Sequence, residues 1–219
     1  MDTETTNPEV SEDIEVDDDD DDEEEPITAK KVLDTLRQAW LNERFAPEIL
    51  LHQTDMLDLM LGQVSHMEEN VKQLPTNDFR GIIHRMELER IKYIISSYLR
   101  CRLAKIENFT DFILAQEATR DEKLLSDGEL AYATSYLKMN KNHFQQIVLQ
   151  HIPTLKDDYA QNMARPNEMS HIFLVANKDV PSVIVGVNDE EVDLQVGSRH
   201  IMPYKLAADL LKSGDVQLI

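Results

Sequence analysis

Asp78-Phe79-Arg80-Gly81-Ile82-Ile83-His84-Arg85-Met86-Glu87-Leu88-Glu89-Arg90-Ile91-Lys92-Tyr93-Ile94-Ile95-Ser96-Ser97-Tyr98-Leu99-Arg100-Cys101-Arg102-Leu103-Ala104-Lys105-Ile106-Glu107-Asn108-Phe109-Thr110-Asp111-Phe112-Ile113 sits in the 77 residues between Pro75 and Pro153 that contain no proline. Such a stretch allows long uninterrupted helix, and 78–111 reads as a single helix of roughly 50 Å at ~1.5 Å per residue. Projected at about 100° per residue, Leu88, Ile91, Ile95, Tyr98, Leu99, Leu103, Ile106, Phe109 and Ile113 share an arc of roughly 140°. Ile94, Cys101 and Phe112 flank that arc. Phe79, Ile82, Ile83 and Met86 lie almost opposite it. A helix apolar on two sides either runs through the middle of its own bundle or packs its first turns on another chain.

Working outward, Val32, Leu33, Leu36, Trp40 and Leu41 make a helical stripe before the long helix. Pro47 is placed to open a second helix as its first residue, carrying Ile49, Leu50, Met56, Leu57, Met60, Val64, Met67 and Val71. Ser126-Asp127-Gly128-Glu129 is a capping-box pattern starting a fourth helix toward Leu149. Short connections between four helices imply a bundle. After 153–170, which loses periodicity, the grammar changes. His171 to Asn177, Val183 to Val187 and Val192 to Val196 are short β-branched runs. Pro203 to Ser213 reads as a short helix ended by Gly214, followed by a strand at Val216 to Ile219. The expected fold is mainly α: a disordered acidic tail over 1–26, a helical bundle over 27–152, a linker over 153–170 and a small β-rich domain over 171–219, α+β overall. A module of about 49 residues is short of core and is expected to lean on a neighbour.

The net charge of −20 divides unevenly. Residues 1–25 hold 15 acidic side chains and no Lys or Arg, leaving 27 acidic against 22 basic over the remainder, a net −5. The tail repels itself and cannot bury enough surface to offset its ordering entropy. It serves as a solubilising segment, as a short partner-binding peptide built on Ile14 and Val16, or as a histone-chaperone-like acidic tail.

Chemistry is sparse. No phosphate-cradling glycine loop and no nucleophile elbow occur. The seven histidines are scattered with no i, i+4 pair for zinc, and Cys101 is the only cysteine, so neither a disulfide nor a thiolate metal cluster is expected. No catalytic residue, metal or cofactor is assigned. The N-terminus lacks a secretory pattern and no apolar run is long enough for a bilayer, so a reducing intracellular compartment and no membrane are expected. Arg80, Arg85, Arg90, Lys92, Arg100 and Lys105 are dispersed around the long helix, so strong direct DNA binding by the chain alone is not expected. Arg102 falls inside the apolar arc. It either snorkels to solvent or makes an ion pair registering this helix against another element or a partner.

Two strings carry a family resemblance: Trp40-Leu41-Asn42-Glu43-Arg44-Phe45-Ala46-Pro47-Glu48-Ile49-Leu50 and Glu87 to Glu107 of the long helix. Both resemble the SLD-five subunit family of the GINS complex, as does the ending His200-Ile201-Met202-Pro203-Tyr204 … Gly214-Asp215-Val216-Gln217-Leu218-Ile219. The resemblance covers about 28–219. It implies a nuclear, non-catalytic subunit of a heterotetramer with three other GINS subunits. That tetramer joins the Cdc forty-five protein and the MCM hexamer as the replicative DNA helicase. It also implies a replisome adaptor as reader of the tail, around Ile14 and Val16. For partner packing the expected residues are Phe79, Ile82, Ile83, Met86 and Arg102, and for docking of the β-module His200, Met202, Pro203 and Tyr204. The rival reading is an acidic-tailed histone-chaperone-like binding protein. On the assembly reading, the chain alone is not expected to be a well-behaved monomer.

Overall fold

The structure is a computed structural model, and it describes residues 28–75, 78–120, 123–152, 163–185 and 190–219. The acidic tail, with Ile14 and Val16, and most of the 153–170 segment lie outside the described residues.

Five helices and five strands are described. Helix α1 spans Ala29–Phe45, α2 Thr54–Lys72, α3 Phe79–Glu117 and α4 Asp127–Phe144, the last continued by one π-helical segment, Gln145–Leu149. Each start has a local cause. Thr28 caps α1 by accepting from the Lys31 N–H, and Asp78 caps α3 through the Arg80 N–H. Ser126 and Glu129 form the reciprocal capping box expected from their spacing. Helix α3 is the central member: α1, α2 and α4 all pack on it. Leu88, Ile91, Ile94, Ile95 and Tyr98 form one core with Val32 and Leu36 of α1 and Met60, Val64 and Val71 of α2. Farther along, Ile106 and Ile113 join Ile49, Leu124, Leu125 and Ala133 in a second core. The helix is not straight. Phe109 sits at φ −127°, ψ 30°, and next to it the Thr110 hydroxyl donates back to the Ile106 carbonyl, the back-bonding that bends helices.

Two expectations are corrected. Pro47 does not open a helix; residues 46–53 run as an irregular connector and α2 begins at Thr54. The reason is tertiary. Lys105 of α3 donates to the Glu43 and Glu48 carbonyls, and Arg102 donates to the Leu50 carbonyl, so two cations take the place of a helical ladder. The other correction is an unforeseen strand at Arg199–Pro203.

The C-terminal module comprises β1 (His171–Ala176), β2 (Val180–Val185), β3 (Glu190–Leu194), β4 (Arg199–Pro203), α5 (Tyr204–Lys212) and β5 (Val216–Leu218). Three strands form one antiparallel sheet in the order β4-β1-β5, and β2 pairs with β3 separately. Helix α5 ends in a Schellman motif: Gly214 has φ 77°, and the Asp215 N–H reaches the Leu210 carbonyl at 3.0 Å. Ile172, Leu174, Met202, Val216 and Leu218 of the sheet pack on Tyr204, Ala207 and Leu211 of α5. Ala46 belongs to this same core and Leu50 packs against it, so the small module does lean on the end of α1 and its connector.

Candidate partner interface

The first two turns of α3 leave an apolar row exposed. Phe79, Ile82, Ile83 and Met86 stand at i, i+3, i+4 and i+7, hence on one face, and they are 71%, 49%, 46% and 68% exposed. The opposite face of the same turns is occupied: Gly81 is buried facing Leu74 after α2. Along the exposed stripe the next member, Tyr93, is also solvent-exposed and meets the Trp40 ring edge-on at 6.2 Å. Trp40 then donates its indole N–H to Ser97 Oγ at 2.9 Å. Helix α1 therefore meets this stripe at Tyr93 and Ser97, while Phe79, Ile82, Ile83 and Met86 below stay exposed. An apolar row of this kind on an otherwise charged helix is a candidate contact surface.

Arg102 does not snorkel and does not reach a partner. It is 1% exposed, and all five of its N–H donors are used inside the chain. Nε and Nη2 grip the Glu129 carboxylate at 2.7 and 3.0 Å. Nη1 donates to Glu43 Oε2 at 3.2 Å and to the Leu50 carbonyl at 2.8 Å, and Nη2 also reaches the Leu124 carbonyl at 2.8 Å. Lys105 completes the cluster, donating to Glu43 Oε1 at 2.7 Å. Burial works against the guanidinium charge, but Glu129 and Glu43 outweigh it and raise the Arg102 pKa. For Lys105 burial is the stronger influence, and its pKa falls despite Glu43. Burial also acts against the Glu129 carboxylate, yet the Arg102 hydrogen bonds prevail and lower its pKa. The cluster ties α1, the connector, α3 and α4 into one unit.

The four residues expected to dock the β-module divide. Met202 and Tyr204 are each 1% exposed and point into the module's own core, so they are corrected as contacts for another chain. Tyr204 does dock the module, but onto this chain: its hydroxyl donates to Glu48 Oε1 at 2.7 Å. Burial, then the facing Glu48 carboxylate, raises the Tyr204 pKa. The Leu218 N–H adds a second tie, to Asn42 Oδ1 at 2.9 Å. His200 is half-buried against Ser198 Oγ, and Pro203 is half-buried at the end of β4.

Glu43, Glu48 and Glu129 were missed as a set by sequence reasoning. A signal existed for the first: Glu43 falls seven residues after the fully buried Leu36, at a core phase of α1, as Arg102 does on α3. Opposite charges at core phases of two helices are candidates to pair. Among the described residues no group of three or more His, Cys, Asp or Glu is arranged to hold a metal ion, and no helix is long and apolar enough to cross a membrane.

Comparison with known proteins adds identity to this geometry. Residues 47–148 match the GINS complex protein helical bundle domain, and 166–219 match the DNA replication complex GINS protein SLD5 C-terminus. The mouse (Mus musculus) DNA replication complex GINS protein SLD5 is 39% identical over 203 residues, covering 88% of this chain and 91% of the mouse one. The human (Homo sapiens) protein of that name is 38% identical over the same shares. The Arabidopsis thaliana one is 29% identical over 201 residues, covering 85% and 90%. With an SLD5-type bundle, an SLD5-type C-terminal module and such identity across most of its length, the chain belongs to the SLD5 family of GINS proteins.

Proposed function

We propose that this chain is a non-catalytic structural subunit of a GINS heterotetramer acting in DNA replication in the nucleus. Its partners on this reading are the three other GINS subunits. Through the tetramer it supports the replicative helicase formed with the Cdc forty-five protein and the MCM ring, where ATP hydrolysis belongs to the ring. The observation that carries the reading is the exposed row Phe79, Ile82, Ile83 and Met86, in a chain whose relatives are named as components of that complex. A monomer has no use for four large apolar side chains in a single row, and a partner helix laid along them removes that surface from water. The proposed organisation is a tail over 1–26, a bundle over 27–152, a linker over 153–170 and a module over 171–219. The tail, around Ile14 and Val16, is proposed as a peptide for a replisome adaptor.

Size-exclusion chromatography with light scattering tests this, on the chain alone and co-expressed with the other three subunits. A monodisperse 1:1:1:1 complex is the expected result, unchanged when residues 1–25 are deleted. A stable monomer that ignores those subunits overturns the reading. Loss of the main interaction on tail deletion would favour the acidic histone-chaperone-like alternative.

A further inference from the structure

Helices α1 and α3 together make a cationic strip that neither carries alone. Arg37, Trp40 and Arg44 stand at i, i+3 and i+7 on α1, and Arg90, Tyr93, Ser97 and Arg100 at i, i+3, i+7 and i+10 on α3, so each set lines one side of its helix. Trp40 joins the two sides, edge-on to Tyr93 and hydrogen-bonded to Ser97. The Arg44 guanidinium lies over the Trp40 and Phe45 rings at 5.8 and 5.6 Å, a cation–π seat. All four arginines are exposed. Glu87 reaches Arg90 at 3.6 Å; among the described residues Arg37, Arg44 and Arg100 form no ion pair. Carboxylates are scarce here: 35–44 holds only Glu43, which is fully buried, and 93–106 holds none. In a chain of net charge −20, exposed arginines gathered around a Trp–Tyr pair suit an anionic occupant.

We infer that the occupant is the chain's own acidic run, Asp17 to Glu25, folded back along α1 over this strip before assembly. Charge and reach both select it. The run is nine consecutive carboxylates, opposite in sign to the arginines. It joins the capped first turn of α1 through Pro26 and Ile27 alone. Thr28 lies about 14 Å from Arg37 and about 24 Å from Arg44 along the helix, at ~1.5 Å per residue. Nine extended residues cover about 30 Å, enough to pass all four arginines. A tether this short gives the run an effective concentration in the millimolar range, an advantage no dilute outside polyanion has. The contact keeps other polyanions, nucleic acid included, off the strip and leaves Ile14 and Val16 beyond it. Being intramolecular, it does not depend on the assembly reading above.

Trp40 is the only tryptophan, so its emission reports on the strip. It lies about 18 Å from Thr28 along α1, the extended reach of about five to six residues, which is the level of Asp22. A nitroxide, a contact quencher of indole, is attached to Asp22→Cys in a Cys101→Ala background of the full chain. Emission is read at submicromolar concentration, with the ascorbate-reduced sample as reference. At low salt Trp40 is expected to be about threefold or more dimmer than in the reference, because the tether holds the label on the strip. At about 1 M salt, where the Debye length is about 3 Å, the difference is expected to vanish. Arg37→Gln with Arg100→Gln, both at exposed positions, is expected to remove most of it at low salt. Equal emission with live and reduced nitroxide at low salt overturns the inference and leaves the strip to an outside polyanion. Quenching that survives both high salt and the arginine substitutions also overturns it, since this strip then does not make the contact. Neither outcome bears on the four-subunit complex, which co-elution tests separately.

Discussion

Tyr204 and Glu48 are joined by a 2.7 Å hydrogen bond across 156 positions of sequence, and this bond seats the C-terminal module on the helical bundle. Glu48 lies on the connector, whose own carbonyl is held by Lys105. The module's seat is thereby fixed to the long helix through one intermediate residue.

Tyr204→Phe keeps the ring in its core and removes the donor. The lost hydrogen bond leaves a partly buried carboxylate short of a partner, at a cost of about 1–3 kcal/mol. The expected outcome is a lower urea midpoint for the assembled protein and faster limited proteolysis within 163–170, with the helical part intact. Unchanged cleavage would show that the module is seated by apolar contact alone.

Arg102→Met is the harsher change. It strands Glu43, which is fully buried, with only Lys105 as a cation, and it leaves the Leu50 and Leu124 carbonyls unsatisfied. Removing one member of a buried ion pair costs about 3–5 kcal/mol, so denaturant titration should show a large loss of stability. Arg102→Lys should recover only part of it, since an ammonium cannot reproduce the bidentate grip on Glu129.

Stability should fall at both pH extremes, for different residues. Glu129 has a folded pKa below its unfolded value; its contribution is present above that unfolded value, about 4.3, and is lost as pH falls through the lower folded one. Tyr204 has a raised folded pKa; its contribution is present below the unfolded value, about 10, and is lost as pH rises beyond it. In a thermal-melt series across pH, Glu129→Gln should flatten the acid limb and Tyr204→Phe the alkaline limb.

Phe79→Glu with Met86→Glu should separate folding from assembly. Both side chains face solvent within the chain, so helical content by circular dichroism should stay near that of the parent. Co-elution with the other subunits should drop sharply, because two carboxylates would be carried into an apolar contact. Full retention of the complex would move the interface elsewhere.

Much of this architecture was legible in local pattern. The central helix followed from an apolar arc sustained over many turns. The α4 start followed from the Ser126 and Glu129 spacing, and the end of α5 from Gly214. Each is a property of neighbours within one or two turns. The exposed row Phe79, Ile82, Ile83 and Met86 was visible as a second apolar side, although sequence left its covering open between the chain's own bundle and another chain.

What misled was long-range. Pro47 looked like a helix start, but the carbonyls of Glu43, Glu48 and Leu50 are claimed by cations more than fifty residues away. His200 to Tyr204 was chosen for docking as a string, without the pleat. Pairing with β1 turns Ile201 outward and Met202 inward, and in a strand with apolar residues on both faces only the packing decides which face is covered. Sequence alone determined the helices, the change to β-rich grammar after 170 and the family, since periodicity, caps and matching strings are local. Only tertiary structure decided where Arg102 goes, which side of β4 is free and what Tyr204 holds. Each of those depends on which distant atoms burial brings within hydrogen-bonding distance.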